Sequence, residues 1–259
     1  MKTASSFISF LILVSVLLLG ITMKTKSESI PDGKMVSYKS DGETISGFLI
    51  TPEGKGPFPA IIVIQEWWGL NDQIKNKAKE LAKEGYVTLA VDLYRGKETT
   101  DPDEAHELLR GLPEDRAIRD LLSAVSYLKT LPNVKKDKIG SIGWCMGGGY
   151  SLSLAISSPD IMACVIYYGR LVTDKNQLEK IKASVIGFFG EEDRGIPPIS
   201  VKKFEEDMKS LGKDVSVYNY PGAGHAFANE ERPSYNASAA KDSWEKTLSF
   251  FNQKLKSDK

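Results

Sequence analysis

The chain has 259 residues, and its Lys and Arg together number 34, as do its Asp and Glu, so the formal net charge is zero. That balance, without a basic stripe, argues against a nucleic-acid partner. The length suits one large α/β domain, and a hydrophobic fraction of 41% is enough for a sizeable core.

The N-terminus differs in composition from the rest of the chain. Met1-Lys2 precedes an almost uncharged apolar stretch over residues 7–21, which is typical of a secretory signal. The small-residue pattern for cleavage is poor around Ile21, and the run from Ala4 to Met23 is just long enough to cross a bilayer. Residues 1–28 are therefore predicted to be a signal peptide or an N-terminal membrane anchor. We expect an exported protein, periplasmic or extracellular, released or tethered to the membrane.

Residues 29–259 alternate between short apolar runs and longer helical patterns. Asp41-Gly42 separates residues 35–40 from 44–50 and predicts an antiparallel hairpin. Residues 60–65 begin with five apolar side chains, as expected for a strand covered on both faces. Over 114–131, large apolar residues recur at helical spacing. Further strands are predicted over 87–92, 138–143, 163–168, 184–189 and 215–220, and further helices over 72–84, 103–109, 146–157, 198–211 and the C-terminal segment.

Strands that alternate with helices predict an α/β fold, in which a mainly parallel central sheet carries helices on both faces. The chain contains no internal repeat, low-complexity segment or linker. Residues 29–259 are therefore predicted to form a single domain.

The sharpest local motif is Gly143-Trp144-Cys145-Met146-Gly147-Gly148, at a predicted strand-to-helix junction. It has the form of a nucleophile elbow with Cys in place of the commoner Ser. The helix N-terminus favours a thiolate, and the Met146 N–H can donate to an oxyanion. The alternative is a glycine-rich turn that carries an inert, buried Cys145.

A nucleophile elbow requires an acid and a histidine later in the chain. Asp193 follows the predicted strand 184–189, although Glu191 or Glu192 could fill the same role. His225 follows the last strand in a glycine-rich loop, whereas His106, the other histidine, is expected at the surface of a helix. The order predicts a Cys-Asp-His triad of Cys145, Asp193 and His225.

A further carboxylate follows the apolar strand 60–64. Glu66 is expected beside the elbow, where it could accept the thiol proton, and the alternative is an exposed loop acid. The N–H of Trp67 is placed to be the second oxyanion donor.

These motifs together resemble the dienelactone hydrolase family of the α/β-hydrolase superfamily. The resemblance runs from about Asp32 to the C-terminal helix and is strengthened by Asp92-Leu93-Tyr94-Arg95-Gly96. It implies a carboxymethylenebutenolidase-like hydrolase of cyclic or activated esters that forms a thioester on Cys145. It also implies that Glu66 holds the resting thiol and takes its proton, and that His225 later activates water.

One departure from the family concerns the two arginines that hold the carboxylate of dienelactone. Arg95 lies one residue before the position of the first arginine. Asn229 occupies the position of the second arginine, and Arg232 lies outside the matched motif. A carboxylate clamp is thus in doubt, and the substrate can differ from dienelactone. Trp144, with neighbouring tryptophans, is a candidate for an aromatic substrate pocket, or else a core residue.

Cys164 lies in an apolar strand and is interpreted as a core residue, so no disulfide with Cys145 is expected. Two His and two Cys do not supply a zinc motif, and we expect no metal and no cofactor. The substrate is expected to be a small ester or lactone, and the protein is expected to be a monomer. The alternatives are a catalytically silent scaffold that binds a small molecule or partner, and a serine esterase, for which position 145 has the wrong residue.

Overall fold

The computed structural model describes residues 32–257, so the predicted signal or anchor over residues 1–28 lies outside the described part of the chain. Within residues 32–257, no helix combines the length and apolar character that crossing a membrane requires. The strands are β1 Gly33–Ser40, β2 Glu43–Ile50, β3 Phe58–Ile64, β4 Val87–Val91, β5 Val134–Trp144, β6 Ile161–Tyr167, β7 Ser184–Gly190 and β8 Val215–Tyr220. The helices are α1 Asp72–Lys83, α2 Pro102–Arg110, α3 Glu114–Thr130, α4 Met146–Ser157, α5 Lys175–Leu178, α6 Pro198–Ser210 and α7 Ala237–Phe251, which continues as a π-helix over Asn252–Lys256.

The eight strands form one sheet in the order β1-β2-β4-β3-β5-β6-β7-β8. β1 and β2 pair antiparallel, and Asp41 and Gly42 between them both have positive φ, as a tight two-residue hairpin requires. β2 also pairs antiparallel with β4, whereas the pairs from β4 to β8 are parallel. The predicted α/β fold with a mainly parallel sheet is confirmed.

Side chains of the central strands alternate between two cores, one on each face of the sheet. Along β3, Ile62 and Ile64 belong to the core that also contains residues of α3, α4 and α6, whereas Ile61 and Val63 belong to the core that contains residues of α1 and α7. All four of these side chains are fully buried. Because both faces are covered, polar groups gather where the strands end, and there the loops after β3, β5, β7 and β8 meet.

Apart from shifts of one or two residues at the ends of elements, the structure differs from the predicted elements in two places. β5 begins at Val134 and not at 138, because Lys135, Lys136 and Asp137 extend from an exposed strand end whose polar composition resembles a loop. The four-residue helix α5 was not predicted, since it is too short to show periodicity and begins at a cap by Asp174.

Candidate active site

Cys145 lies on a strained turn between β5 and α4. Its φ of 53° and ψ of −118° fall outside the regions that L-residues ordinarily occupy. A Cβ on Gly143 would lie 2.1 Å from the carbonyl oxygen of Gly147, and one on Gly147 would lie 2.4 Å from that of Ile64. Glycine at these two positions lets strand and helix approach closely enough to form a nucleophile elbow.

His225 and Asp193 come together from the loops after β8 and β7. Nδ1 of His225 lies 2.7 Å from Oδ2 of Asp193, whose Oδ1 accepts hydrogen bonds from the N–H groups of Gly195 and Ile196. The acid is therefore fixed on both oxygens. The histidine is left with Nε2 for the nucleophile, and Asp193, rather than Glu191 or Glu192, is its partner.

The charge states of this pair follow from its contacts. Burial alone would lower the pKa of His225, but its hydrogen bonds with Asp193 and Cys145 raise that pKa to about 10. Burial likewise acts to raise the pKa of Asp193, yet the interaction with His225 and two backbone donors holds it below its ordinary value. The three predicted triad residues thus lie in one hydrogen-bonded series.

Glu66 is buried beside the triad and is not an exposed loop acid, with only 2% of its surface accessible. Nδ2 of Asn229 donates to its Oε2 at 2.7 Å, and the hydroxyl of Tyr168 donates to its Oε1 at 3.4 Å. Burial raises the pKa of Glu66, although the Asn229 hydrogen bond and the charges of Arg232 and His225 act in the opposite direction. In this conformation the carboxylate is held by Asn229 and Tyr168, while the nucleophile faces His225.

Two cavities meet at Cys145. A cavity of about 690 Å³ lies toward α4 and the loop after β6, and a second of about 420 Å³ lies toward the loop after β8. Cys145 and Trp67 line both. Met146 lines the larger one and opens α4, so its N–H has no acceptor within the helix.

Three residues contribute to the site although the motifs did not assign them a role. Tyr168, at a φ of 36°, is fully buried with its ring 5.2 Å from that of His225. Asn229 binds Glu66 and occupies the position that the family resemblance assigned to an arginine. Arg232 lies 3.7 Å from the ring of Trp68 and lines the smaller cavity. Only Tyr168 gave no signal in the sequence, because its role depends on its position after β6.

Arg95 does not line either cavity that Cys145 lines. Its guanidinium lies 2.8 Å from Asp120 and 3.0 Å from Glu43. Because Asp120 is fully buried, this ion pair directs Arg95 toward α3 and the hairpin. The structure therefore gives no support to the prediction that Arg95 binds substrate.

Trp144 is likewise separated from the cavities at the nucleophile. It is 1% exposed and stacks on Tyr167, with ring centroids 5.4 Å apart. Because its side chain points to the face opposite that of Met146, it is a core residue, which was the alternative interpretation.

The remaining cysteine and histidine lie where the sequence predicted. Cys164 is fully buried, accompanied by Ser151 at 3.4 Å, and both cysteines are free. His106 is exposed on α2, and its ring also packs edge-on against Trp67 at 4.8 Å.

The sheet, the strained cysteine turn and the acid–histidine pair define an α/β-hydrolase. The model of the dienelactone hydrolase family matches residues 45–255. The chain belongs to the dienelactone hydrolase family.

The matches to three similar proteins cover nearly the whole length of each of those proteins. A protein of Synechocystis sp., provisionally named a carboxymethylenebutenolidase, is 33% identical over 239 residues, which span 86% of this chain and 97% of the relative. Among solved structures, a provisionally named dienelactone hydrolase from Klebsiella pneumoniae has a TM-score of 0.79 and 28% identity over 86% of this chain and 98% of its own. A dienelactone hydrolase-like promiscuous phosphotriesterase from metagenomic libraries has a TM-score of 0.80 and 26% identity, covering 88% and 100%.

Proposed function

We propose that this protein hydrolyses esters or lactones with Cys145 as nucleophile, through a thioester intermediate. The observation that carries the proposal is the series Cys145–His225–Asp193 at the end of the parallel strands. The nucleophile stands on a strained turn, and its base is oriented by a buried carboxylate.

Before the attack, the Cys145 thiol gives its proton to Glu66, and the thiolate sulfur then attacks the carbonyl carbon of the ester. The carbonyl oxygen takes up the electron pair and accepts hydrogen bonds from the N–H groups of Met146 and Trp67. When the pair returns, the carbon–oxygen bond to the alcohol breaks, and the leaving oxygen takes a proton from His225. The product is a thioester on Cys145 and a free alcohol.

In deacylation, His225 takes up a proton, whereas in acylation it gave one to the leaving alcohol. His225, now neutral, takes a proton from water as the water oxygen attacks the thioester carbon. The carbon–sulfur bond breaks, the acid leaves, and the thiolate takes its proton back from Glu66, while His225 keeps the proton from water for the next turnover. Asp193 keeps its charge throughout and stabilises the imidazolium.

Glu66 is proposed to hold the resting thiol of Cys145 between turnovers and to take its proton when substrate binds. Burial raises the pKa of its carboxyl, so it is a stronger base than an exposed glutamate and can take a proton from Cys145 once the thiol turns toward it. Its two present partners, Asn229 and Tyr168, hold it on the same cavity wall as the nucleophile.

The first test is turnover of a panel of esters and lactones, dienelactone included, by the full chain purified in mild detergent. Cys145→Ala should lower kcat/KM by roughly 10³-fold or more. Cys164→Ala is the matched control, since it removes the other thiol in the core and should keep the activity. Intact-protein mass spectrometry of a slow ester should show the acyl group on the wild type and not on Cys145→Ala.

If the folded wild type turns over no ester or lactone while its thiol can be titrated, the proposal is wrong. The silent binding scaffold would then be the better description. If both cysteine variants keep full activity, the nucleophile is not Cys145.

Export is proposed on the sequence of residues 1–28 alone. The protein is expected in the periplasm or outside the cell, and fractionation with an antibody to the folded domain tests this. Recovery of the protein only in the cytosolic fraction would contradict it.

A further inference from the structure

The two cavities that meet at Cys145 have different walls. The larger, which we call the acyl cavity, has a half-buried apolar wall of Trp67, Leu109, Met146, Tyr150, Leu171 and Val172. Three charged residues, Glu114, Arg170 and Asp174, lie exposed at its rim. The smaller, which we call the alcohol cavity, is lined by Glu66, Trp68, His225, Ala226, Arg232 and Ser234, besides Trp67 and Cys145.

The position of His225 distinguishes these cavities chemically. His225 lines the alcohol cavity and is absent from the wall of the acyl cavity. When the ester bond breaks, the leaving oxygen must lie within hydrogen-bond reach of the histidine nitrogen that gives it a proton. The alcohol part of the substrate must therefore extend from the carbonyl carbon on the side of the smaller cavity.

The acyl part is then directed to the other side of the nucleophile. At the tetrahedral stage the carbon carries the sulfur, the oxyanion, the leaving oxygen and the acyl chain. The oxyanion faces the N–H groups of Trp67 and Met146, and the leaving oxygen faces His225. The other cavity that Cys145 lines, between α4 and the loop after β6, offers space for the acyl chain.

We propose that the substrates are esters with a medium-length apolar acyl chain, held in the acyl cavity, and a separate alcohol part held beside His225. This rests on the proposed hydrolysis at Cys145. A volume of about 690 Å³ lies within the usual range for whole small-molecule sites. A small lactone, whose acyl and alcohol parts share one ring, would leave most of it unfilled.

The chemistry of the wall favours a neutral chain over a charged one. The half-buried wall offers apolar contact, while the charged groups stand at the exposed rim, where two carboxylates outnumber one arginine. Each methylene that enters the cavity should raise kcat/KM by about threefold to fourfold until the chain reaches the rim.

Two substrate series separate the cavities. In the first, 4-nitrophenyl esters from acetate to octanoate vary the acyl chain at constant leaving group. In the second, acetates of phenol, 4-ethylphenol and 4-butylphenol vary the alcohol with little change in its acidity. kcat and KM are measured for the full chain on both series.

Three matched serine-to-tryptophan variants test the assignment. Ser153→Trp on α4 fills the acyl cavity and should lower the octanoate-to-acetate ratio of kcat/KM by at least tenfold, with little change in the alcohol series. Ser234→Trp fills the alcohol cavity and should lower the ratio of kcat/KM for 4-butylphenyl acetate to that for phenyl acetate by at least tenfold, with little change in the acyl series. Ser126→Trp, on the exposed face of α3, is the control and should change neither ratio. If Ser153→Trp does not fold, Val172→Trp fills the same cavity from a loop.

The outcomes separate this inference from the proposed function. Equal effects of both variants on both series, or effects on the opposite series, would overturn the assignment of the cavities while Cys145-dependent turnover stands. A wild-type rate that stays flat from acetate to octanoate would overturn the acyl chain as the occupant. Absence of any Cys145-dependent turnover would instead reject the proposed function.

Discussion

At the scale of single residues, the site holds two carboxylates in opposite environments. Asp193 accepts three hydrogen bonds, one from His225 and two from backbone N–H groups, and its pKa lies below its ordinary value. Glu66 is enclosed more completely, and burial raises its pKa. Such a division lets one carboxylate stay charged for orientation while the other exchanges a proton.

The stability that His225 contributes should depend on pH in a definite direction. Its pKa is raised from 6.5 to about 10 in the folded state, so the contribution is fully present below pH 6.5 and is lost as the pH rises to about 10. Asp193 has a lowered pKa, so its contribution is lost at acidic pH. Wild type and His225→Gln are to be compared by urea unfolding at several pH values. The advantage of the wild type should shrink between pH 6.5 and 10, and a constant difference over that window would contradict the ion pair.

The hydrogen bond from Asn229 to Glu66 should be measurable as a coupling energy. Hydrogen bonds to charged groups typically contribute about 1.5–3 kcal/mol. Asn229→Ala should therefore lower the free energy of unfolding by that much more in the wild type than in Glu66→Ala, which keeps no acceptor for the Asn229 amide. The four proteins of this double-mutant cycle are compared by urea unfolding. The cycle is needed because Asn229 also accepts from the N–H of Glu231. A coupling energy of zero would show that the bond does not contribute.

At the scale of elements, the turn between β5 and α4 depends on glycine. In Gly143→Ala, the new methyl group would meet backbone of α4, which cannot move aside as a flexible side chain could. We expect a loss of about 3 kcal/mol in the free energy of unfolding, together with lower kcat, because the elbow must open. Gly149→Ala, in α4 just beyond the same turn, is the matched control, since its nearest contacts are at an ordinary 3.4 Å. It should stay within about 1 kcal/mol of the wild type, and similar losses in both variants would contradict this account.

Many of the helix and strand bounds, and part of the candidate site, could be predicted from the sequence. α4 and β8 have the predicted bounds, because a glycine-rich turn and alternating polar residues mark their ends clearly. The proximity of Cys145, Asp193 and His225 was predictable because these residues follow the strand ends in order. The hydrogen bonds of Glu66 were not, since Asn229 lies 163 residues away in the chain. The positions of Arg95 and Trp144 were not either, because a motif gives a residue's place in the chain but not the direction of its side chain.

At the scale of the whole molecule, the sheet joins distant loops at one edge. Glu66, Cys145, Asp193 and His225 follow β3, β5, β7 and β8, so each strand supplies one group. The rigid, doubly covered sheet fixes their spacing, while the loops remain free to shape the cavities. Under the proposed function, the strand ends would set reactivity and the loops would set specificity.

Arg95 joins the loop after β4 to the β1–β2 hairpin and to α3. Asp120 on α3 is fully buried, accepts a hydrogen bond from Ser40 on β1 at 2.6 Å, and pairs with Arg95 from the loop after β4. Arg119 lies 3.9 Å away and is a weaker partner. Removal of Arg95 would thus leave a buried charge with little compensation.

Arg95→Met should lower the free energy of unfolding by about 3–5 kcal/mol, the usual cost of breaking a buried ion pair from one side. The double variant Arg95→Met/Asp120→Asn should recover most of the loss, because the neutral amide no longer needs a counter-charge. Urea unfolding measures both. If Arg95 instead bound substrate, Arg95→Met would raise KM for an ester that carries a carboxylate and leave KM for its neutral analogue unchanged. We expect both KM values to stay in the same ratio as in the wild type, because the guanidinium is held by Asp120 and Glu43, away from the cavities at Cys145.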